Sequence, residues 1–383
     1  MNKSETRTPV FLTPAFFPDE RFRDALKEKL NLPEDMEISF RVLEKIRQLN
    51  LSAMFIDDLS GIEYFYNLRK LDVSMNSLHA LDVSKLRALE KLNCDDNYIS
   101  TLKVDRLDNL RKLSVRRNQL TSFEPEKLKS LSSLYIQENR LRSLNLAGCP
   151  KLKKLKCNAN PLRRLNISNC LHLEELECRY GRLRSLNLDR NLLLKHLDCS
   201  SNLIETLDTR QCLNLEHLDC SQNLLNELDT GNLEKLSYLN CSSNHITHLP
   251  LYPWPCLLTL NCSFNQLHTL ELVSLDEIEQ FNCSYNEMEE LSVNDCPWLC
   301  RLNCAGNHLH ELSLLDCTDL AVLNCSDNQL GSLMLGDCIS LISLDCSQND
   351  LRELNLRDCD QISHVKADPN VSILYPVDVR EDL

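Results

Sequence analysis

The chain has 383 residues, and its 42 Lys and Arg against 56 Asp and Glu give a formal net charge of -14. An excess of acid of this size disfavours general adhesion to nucleic acid or to anionic lipid. With only 7 Gly and 5% aromatic residues, the composition also argues against a sandwich, a barrel or a disordered chain.

The N-terminus does not resemble a signal peptide, because residues 1–22 are broken up by Thr, Pro, Glu and Arg and lack an apolar core. No later run approaches the roughly 18 consecutive apolar residues of a membrane helix, so we expect no membrane insertion. The sequence therefore predicts a protein that stays in the cytoplasm as synthesised. Secretion, or delivery into a host cell by a specialised route, is the alternative.

Residues 1–45 carry no repeat and are predicted to form an N-terminal arm and a helical cap. Residues 1–17 have no periodic pattern and are assigned to the arm. Behind Asp19, apolar residues recur at helical spacing, which predicts a helix over residues 18–32, and a second short helix is expected over about residues 38–48. Both helices would cover the apolar edge of the first coil of the array that follows. The apolar residues of the first helix are Phe22, Ala25, Leu26 and Leu30.

A repeat with a period of 21 residues fills most of the remaining chain, and its most constant residue is an Asn. Five residues before each Asn stands a Leu, with Phe281 and Val365 as exceptions, and three residues before it stands a Cys or a small aliphatic residue. Gly181 takes the Asn position in one copy. The repeated residues are Asn76, Asn97, Asn118, Asn139, Asn160, Asn202, Asn223, Asn244, Asn265, Asn286, Asn307, Asn328, Asn349 and Asn370.

This spacing predicts a stack of short strands. Leu and Cys with one residue between them give a strand with one face inward, and the next coil brings its strand alongside at about 4.8 Å. The Asn stands where the strand turns, so its amide can bond backbone groups that would otherwise be buried without partners. A coil of 21 residues leaves no room for a full helix on its other side, where turns, 3-10 segments or extended backbone are expected.

The pattern L-x-x-L-x-C-x-x-N-x-L resembles the leucine-rich repeat family, with Cys at a position that is more often Leu. The segments FPDERFR (residues 17–23) and DLSGIEYF (residues 58–65) are similar to the lead-in of bacterial internalins. The resemblance implies an α/β right-handed solenoid with a parallel β-sheet on its concave face and short segments on its convex face. Residues 46–364 would form about 15 coils, and residues 365–383 a C-terminal cap and tail.

Eighteen of the 20 cysteines fall into two columns, eleven of them three residues before the Asn position and seven of them ten residues after it. Neighbours in a column should lie about 4.8 Å apart, which is wider than the Cβ separation of about 3.8 Å that a disulfide prefers. They are predicted to be buried thiols, and a line of thiols lacks the convergence of a metal site, so no cofactor is expected. Cys256 and Cys300 lie outside both columns, and Cys300 is the thiol expected to react. His196 and His217 should stack on neighbouring coils but lack a third metal ligand.

Binding residues are expected at the exposed strand positions, which lie six, four, two and one residue before each Asn. In the C-terminal half, Asp or Asn and Ser repeat there, which predicts a polar ladder bonded within itself. Residues 139–195 instead hold 13 Lys and Arg against four Asp and Glu. The basic residues predicted to contact a partner are Lys112, Arg116, Arg117, Arg142, Lys154, Lys156, Arg163, Arg179 and Arg184.

Three of these arginines, Arg142, Arg163 and Arg184, follow successive repeat positions by three residues and should stack about 5 Å apart along one flank. Like charges at this distance repel one another, and an acidic partner would relieve the repulsion. The alternative is a solvated flank with nearby glutamates as counterions.

Aromatic residues mark a second candidate surface. Tyr180, Phe264 and Tyr285 stand just before the Asn position, and Tyr238 faces the same way. Exposed aromatic residues are typical anchors of protein interfaces.

The sequence contains no Gly-rich phosphate loop, zinc motif or hydrolase elbow. We therefore expect a non-enzymatic, monomeric scaffold that binds a partner protein through the concave face and the basic flank, the partner being acidic in character. A bacterial effector that binds a host protein is one alternative, and a binder of polyanions such as glycan or nucleic acid is another.

Overall fold

The computed structural model of the chain describes residues 10–31, 37–38, 40–125, 128–250, 254–270, 275, 277–293 and 296–376. The chain divides into two compact units, Met1–Leu183 and Arg184–Leu383. The division at residues 45 and 364 stays a prediction. None of the helices in the described ranges has the length and apolar character needed to cross a membrane.

The first unit contains two α-helices, one 3-10 turn at Ile62–Tyr64 and short strands. The helices are α1 (Glu20–Leu30) and α2 (Phe40–Leu43). The strands are β1 (Val10–Phe11), β2 (Glu37–Ile38), β3 (Gln48–Asn50), β4 (Lys70–Asp72), β5 (Ala80–Asp82), β6 (Lys91–Asn93), β7 (Thr101–Lys103), β8 (Lys112–Ser114), β9 (Ser133–Tyr135), β10 (Ser143–Asn145), β11 (Lys154–Lys156), β12 (Arg164–Asn166) and β13 (Glu175–Glu177).

Helix α1 begins where the sequence predicts it. The Asp19 side chain accepts a hydrogen bond from the Phe22 N–H at 2.8 Å and so caps the helix. The second carboxylate oxygen of Asp19 accepts from the N–H groups of Asp57 and Asp58 at 2.8 and 3.0 Å. One side chain therefore caps the helix and ties it to the first coil.

The described part of the arm packs against the residues that follow it, because β1 pairs antiparallel with β2 and the ring of the buried Phe17 makes an edge contact with Phe22. One prediction for this region is wrong. The second helix does not run over residues 38–48 but is limited to the single turn α2. Its continuation is prevented because β3 pairs with β4, which uses backbone groups that a longer helix would need.

The main sheet of the first unit is a parallel ladder of β3, β4, β6, β8, β9, β11 and β13. From β4 onwards, each strand is displaced from the next by 21 residues, as in the pairing of Leu71 with Leu92 and of Leu92 with Leu113. These leucines are buried. A second set of parallel pairs, β5 with β7 and β10 with β12, forms elsewhere on the coils and provides the extended backbone that the sequence predicts.

The second unit repeats this architecture. Its strands are β14 (His196–Asp198), β15 (His217–Asp219), β16 (Tyr238–Asn240), β17 (Thr259–Asn261), β18 (Gln280–Asn282), β19 (Glu290–Ser292), β20 (Arg301–Asn303), β21 (Glu311–Ser313), β22 (Val322–Asn324), β23 (Ser343–Asp345), β24 (Glu353–Asn355), β25 (His364–Lys366) and β26 (Ser372–Leu374). Strands β14 to β18, β20, β22, β23 and β25 form the main parallel ladder. The predicted parallel solenoid is confirmed.

One coil of the second unit departs from the consensus. Residues 251–253, which carry part of its proline run, lie outside the described residues. Trp254 is fully buried, as expected for a bulky residue that fills the space held elsewhere by Cys or Leu.

The repeated Asn joins neighbouring coils, as predicted. The Asn97 Nδ2 donates to the carbonyls of Cys94 and Asp95 in its own coil and to that of Val73 in the preceding coil, at 3.0 to 3.3 Å. Its Oδ1 accepts from the Leu78 N–H at 3.0 Å. The same four contacts recur around Asn244 in the second unit. Each amide thus satisfies buried backbone groups of two coils.

The residue before the Asn adopts a left-handed backbone. Thirteen non-glycine residues at this position have φ between 51° and 59°, from Met75 to Gln348, and Gly306 has φ of 65°. A left-handed conformation costs roughly 1–2 kcal/mol for a residue with a Cβ. The turn therefore carries strain in nearly every coil and directs the side chain at this position outward.

All 20 cysteines are free thiols, and 18 of them are buried. Burial raises the pKa of Cys157, Cys241 and Cys304 to about 12. The two columns therefore act as small apolar side chains in the core.

The coil with Gly181 lacks the bridging amide. The Leu162 N–H, whose equivalents in other coils donate to the Asn Oδ1, donates to the Asn160 carbonyl at 2.7 Å instead. A local turn thus replaces one of the four contacts.

Gly181→Asn should raise the free energy of unfolding by about 1 kcal/mol, since the new amide would bond the Leu162 N–H and carbonyls of two coils. The reverse defect, Asn160→Gly, should lower it by about 2–3 kcal/mol, because buried backbone groups would lose their partners. Urea denaturation followed by circular dichroism measures both changes. A Gly181→Asn protein that is less stable than the parent would contradict this account.

Candidate functional site

Four lysines share one exposed column on the main sheet of the first unit, as predicted. Lys70, Lys91 and Lys112 are paired in register on β4, β6 and β8. Ser133 follows on β9, and Lys154 follows on β11. All four lysines are exposed to solvent.

The lysines of β11 are neutralised by the next strand. The Lys154 Nζ lies 2.7 Å from Glu175, and the Lys156 Nζ lies 2.8 Å from Glu175 and 2.6 Å from Glu177. Partial burial would raise the pKa of Glu175, but the hydrogen bonds and charges of Lys154 and Lys156 outweigh it, so the pKa is lowered. For Lys154 and Lys156, the structure therefore agrees with the alternative prediction that nearby glutamates act as counterions.

Arg116 and Arg117 are also paired with acids. The Arg116 guanidinium holds the buried Asp95 carboxylate with two hydrogen bonds at 2.9 and 2.7 Å, which raises the pKa of the arginine. Arg117 lies between Asp96 at 3.4 Å and Glu138 at 3.2 Å.

Five of the predicted residues line one depression of about 470 Å³ in the first unit, namely Arg116, Arg117, Lys156, Arg179 and Tyr180. The Arg179 guanidinium lies 5.7 Å from the centre of the Tyr180 ring, within the range of a cation–π contact.

Gln137 also lines this depression, and its Oε1 is buried and has no hydrogen-bond partner among the described residues. Gln137 is not among the residues predicted from the sequence. Its position two residues before Asn139, where most other coils have a short polar or an Arg side chain, could have marked it.

The arginine flank consists of Arg140, Arg142, Arg163, Arg164 and Arg182, all exposed in the first unit. The Arg163 N–H donates to the Arg142 carbonyl at 2.8 Å, so these two residues lie side by side as predicted. None of the five has an ion-pair partner in the part of the chain that the structure describes. Arg184 belongs to the second unit, where it pairs with Glu205 at 3.0 Å.

Charge in this stretch is unevenly distributed. Residues 139–183 contain ten Lys and Arg against three Glu, a balance of +7. Lys153, Lys154 and Lys156 pair with those three glutamates, Glu174, Glu175 and Glu177. The positive charge of the arginine flank is therefore uncompensated by the acids of its own stretch.

Aromatic rings form a separate surface in the second unit. The rings of Phe264 and Tyr285 stack with centroids 4.5 Å apart at 17°, and the residues are 53% and 49% exposed. Gly306 continues this column, and a Cβ there would lie 2.5 Å from the Tyr285 ring. The glycine thus leaves room for the stacked pair.

Tyr238 is less available than the sequence suggests. It is half-buried and stacks on His217 at 4.2 Å, and His217 stacks on His196 at the same distance. No group of three or more potential metal ligands gathers in the described ranges, the two histidines included.

The uniform columns of the second unit form the predicted polar ladder. The Ser200 N–H and Oγ donate to Asp198 at 3.1 and 2.7 Å. The same pair of bonds joins Ser242 to Asn240 and recurs along the unit. These groups satisfy one another and offer little for recognition.

The two thiols outside the columns differ from the rest. Cys256 is exposed, and Cys300 is half-buried with its Sγ 3.2 Å from the Glu279 carbonyl. Cys300, the thiol predicted to react, is therefore the less open of the two.

Solved structures resemble this chain over nearly its whole length. The functional domain of InlJ, an internalin from Listeria monocytogenes that includes a cysteine ladder, matches with 26% identity and a TM-score of 0.77 over 94% of this chain and 76% of its own. A leucine-rich repeat protein of Leptospira interrogans matches with 24% identity and a TM-score of 0.72 over 88% and 93%. YopM, a leucine-rich effector protein from Yersinia pestis, matches with 25% identity and a TM-score of 0.68 over 91% and 91%.

No protein-family model matches the sequence, and no curated protein matches it. The structural matches confirm the leucine-rich repeat fold and the similarity to internalins with cysteine-containing repeats. Such folds support a role as a scaffold for protein interactions.

A thiol reagent such as dithionitrobenzoate should modify two cysteines rapidly in the folded protein near neutral pH, Cys256 before Cys300, and all 20 after unfolding. The other thiols are shielded, and where burial raises the pKa to about 12, as for Cys149, the reactive thiolate is scarce. A Cys256→Ser/Cys300→Ser variant should lose the rapid phase. Rapid modification that persists in this variant would contradict the buried columns.

Proposed function

We propose that this leucine-rich repeat protein is a non-enzymatic interaction scaffold whose arginine flank binds an acidic surface of a partner protein. The observation that carries the proposal is the separation of charge in residues 139–183. Their three glutamates pair with lysines on the sheet, while the five arginines of the flank have no ion-pair partner among the described residues.

Electrostatics favours a partner at this surface. Like charges on neighbouring coils repel one another, so a partner that brings carboxylates lowers the energy of the flank. Arg is suited to this role because its planar guanidinium can bind a carboxylate through two hydrogen bonds and is less strongly hydrated than the ammonium of Lys.

The depression lined by Arg116, Arg117 and Tyr180 and the stacked pair of Phe264 and Tyr285 are proposed as further contact surfaces. Interface anchors are often aromatic or Arg residues, and both types are exposed at these places. The internally paired residues Lys154, Lys156 and Arg184 are assigned weaker roles, because a partner would have to compete with their own carboxylates.

A second candidate is an effector role, in which the partner belongs to a host cell. It is favoured by the match to YopM, whose structure is described as that of an effector protein. Both candidates use the same scaffold and differ in where the partner is found.

The arginine flank can be tested by comparative affinity capture with mass spectrometry. Arg142→Glu/Arg163→Glu should weaken binding of the partner by about tenfold or more, or roughly 1.4 kcal/mol or more. The control Arg69→Glu/Lys103→Glu has the same change in charge and removes two exposed residues of the same unit that already have acidic partners. The control should bind as the parent protein does.

Equal capture of every partner by the parent and the flank variant would overturn the proposal. Loss of capture by the control to the same extent would also overturn it, since the effect would then follow net charge alone. Capture of nucleic acid or sulfated glycan in place of protein, with affinity that falls steeply with salt, would support a polyanion binder instead.

A further inference from the structure

We propose that Lys70, Lys91 and Lys112, here called the lysine row, form a second binding site that takes an acidic, extended segment of a polypeptide. The inference rests on the proposed function only in that the partner is a protein. Its residues lie on the main sheet of the first unit and are separate from the arginine flank.

The strand register places the three ammonium groups in a line. Neighbouring parallel strands lie about 4.8 Å apart, so the row spans about 10 Å from Lys70 to Lys112. Uncharged residues bound it on both sides, Gln48 on β3 and Ser133 on β9. The row lines a depression of about 380 Å³.

The two carboxylates in the same depression, those of Asp72 and Asp95, already accept hydrogen bonds from groups other than the lysines. Asp72 accepts from the Ser74 N–H and Oγ at 3.0 and 2.6 Å and from the Asn93 Nδ2 at 3.0 Å. Both of its oxygens therefore already accept hydrogen bonds from groups other than the lysines.

Asp95 also accepts hydrogen bonds from neighbouring side chains. It is 3% exposed and accepts from the Ser114 Oγ at 2.7 Å and from two guanidinium nitrogens of Arg116. Within the described ranges, none of the three lysines of the row forms an ion pair.

One lysine of the same column, Lys154, is neutralised by a carboxylate and can be compared with the row. Lys154 stands two strands beyond Lys112 and is paired with Glu175 at 2.7 Å. Lys112 instead places its Nζ 5.0 Å from the centre of the Tyr135 ring. The lysine row is thus the part of the column for which the protein supplies no carboxylate.

Charge balance indicates the kind of ligand. The depression has four cationic residues, the lysine row and Arg116, against Asp72 and Asp95, a balance of +2. Two carboxylates would neutralise it. Side chains on one face of an extended peptide recur at about 6.8 Å, so two alternate acidic residues fit within a row of about 10 Å.

Denser anions fit less well. A dianionic phosphate concentrates two negative charges at one point, so Asp72 and Asp95 would repel it about twice as strongly as a singly charged carboxylate at the same distance. A long polyanion would also extend beyond the row, where the same column continues with the uncharged Gln48 and Ser133 and with Lys154, which Glu175 already neutralises. The geometry therefore favours an acidic polypeptide segment.

Fluorescence anisotropy with a short labelled peptide that has Glu at alternate positions would test the site. The parent protein should bind this peptide, and a version with Gln in place of Glu should bind at least about tenfold more weakly. Lys70→Gln/Lys91→Gln/Lys112→Gln should weaken binding of the Glu peptide by a similar factor. The control Lys129→Gln/Lys151→Gln/Lys153→Gln removes three other exposed lysines of the same unit and should leave binding unchanged.

The proposal falls if the lysine-row variant, shown to be folded by circular dichroism, binds the Glu peptide as the parent does, or if the control variant loses binding equally. It also falls if single-stranded DNA or a sulfated oligosaccharide displaces the peptide and binds more tightly at the row. Arg142→Glu/Arg163→Glu should still bind the peptide. If it does while no partner is captured through the flank, the proposed function fails and the lysine row stands.

Discussion

The bridging amide of the repeated Asn is the interaction on which the stacking of coils depends. Each coil turns sharply after a three-residue strand and leaves backbone groups that cannot reach a ladder partner. The Asn97 amide bonds carbonyls of two coils and accepts an N–H from the preceding one. Because buried polar groups cost about 1–3 kcal/mol each when unpaired, an Asn in this place stabilises the stacking of its coil on the preceding one. The coil with Gly181 shows how one N–H is satisfied without it.

Stacking at a fixed period converts sequence spacing into rows of side chains. Whether a charged residue in a row is neutralised depends on a single residue in the next coil. Glu175 makes the difference for Lys154, and Ser133 leaves Lys112 without an acid on its neighbouring strand. The same rule explains why the polar ladder of the second unit is self-satisfied, since most of its coils supply both the Asp or Asn acceptor and the Ser donor. Recognition is therefore expected where the repeat departs from its consensus.

The turn at the repeated Asn affects both the stability of each coil and the side chains that it exposes. The residue before the Asn is left-handed in coil after coil, although few of these residues are glycine. The conformation costs energy that packing of the Leu and Cys core must offset. In return, the side chain there points outward, and Phe264 and Tyr285 form an exposed stacked pair at these positions.

The sequence by itself determined the repeat, the inward Leu and Cys columns, the parallel strands and the membership of each exposed row, because stacking involves only neighbouring coils of equal length. It also placed the N-cap at Asp19. Only the tertiary structure decided which charges are compensated, because an ion pair depends on how side chains reach across coils. It likewise decided how residues 10–17 pack and where α2 ends, since contacts such as that of Asp19 with Asp57 join segments that share no period.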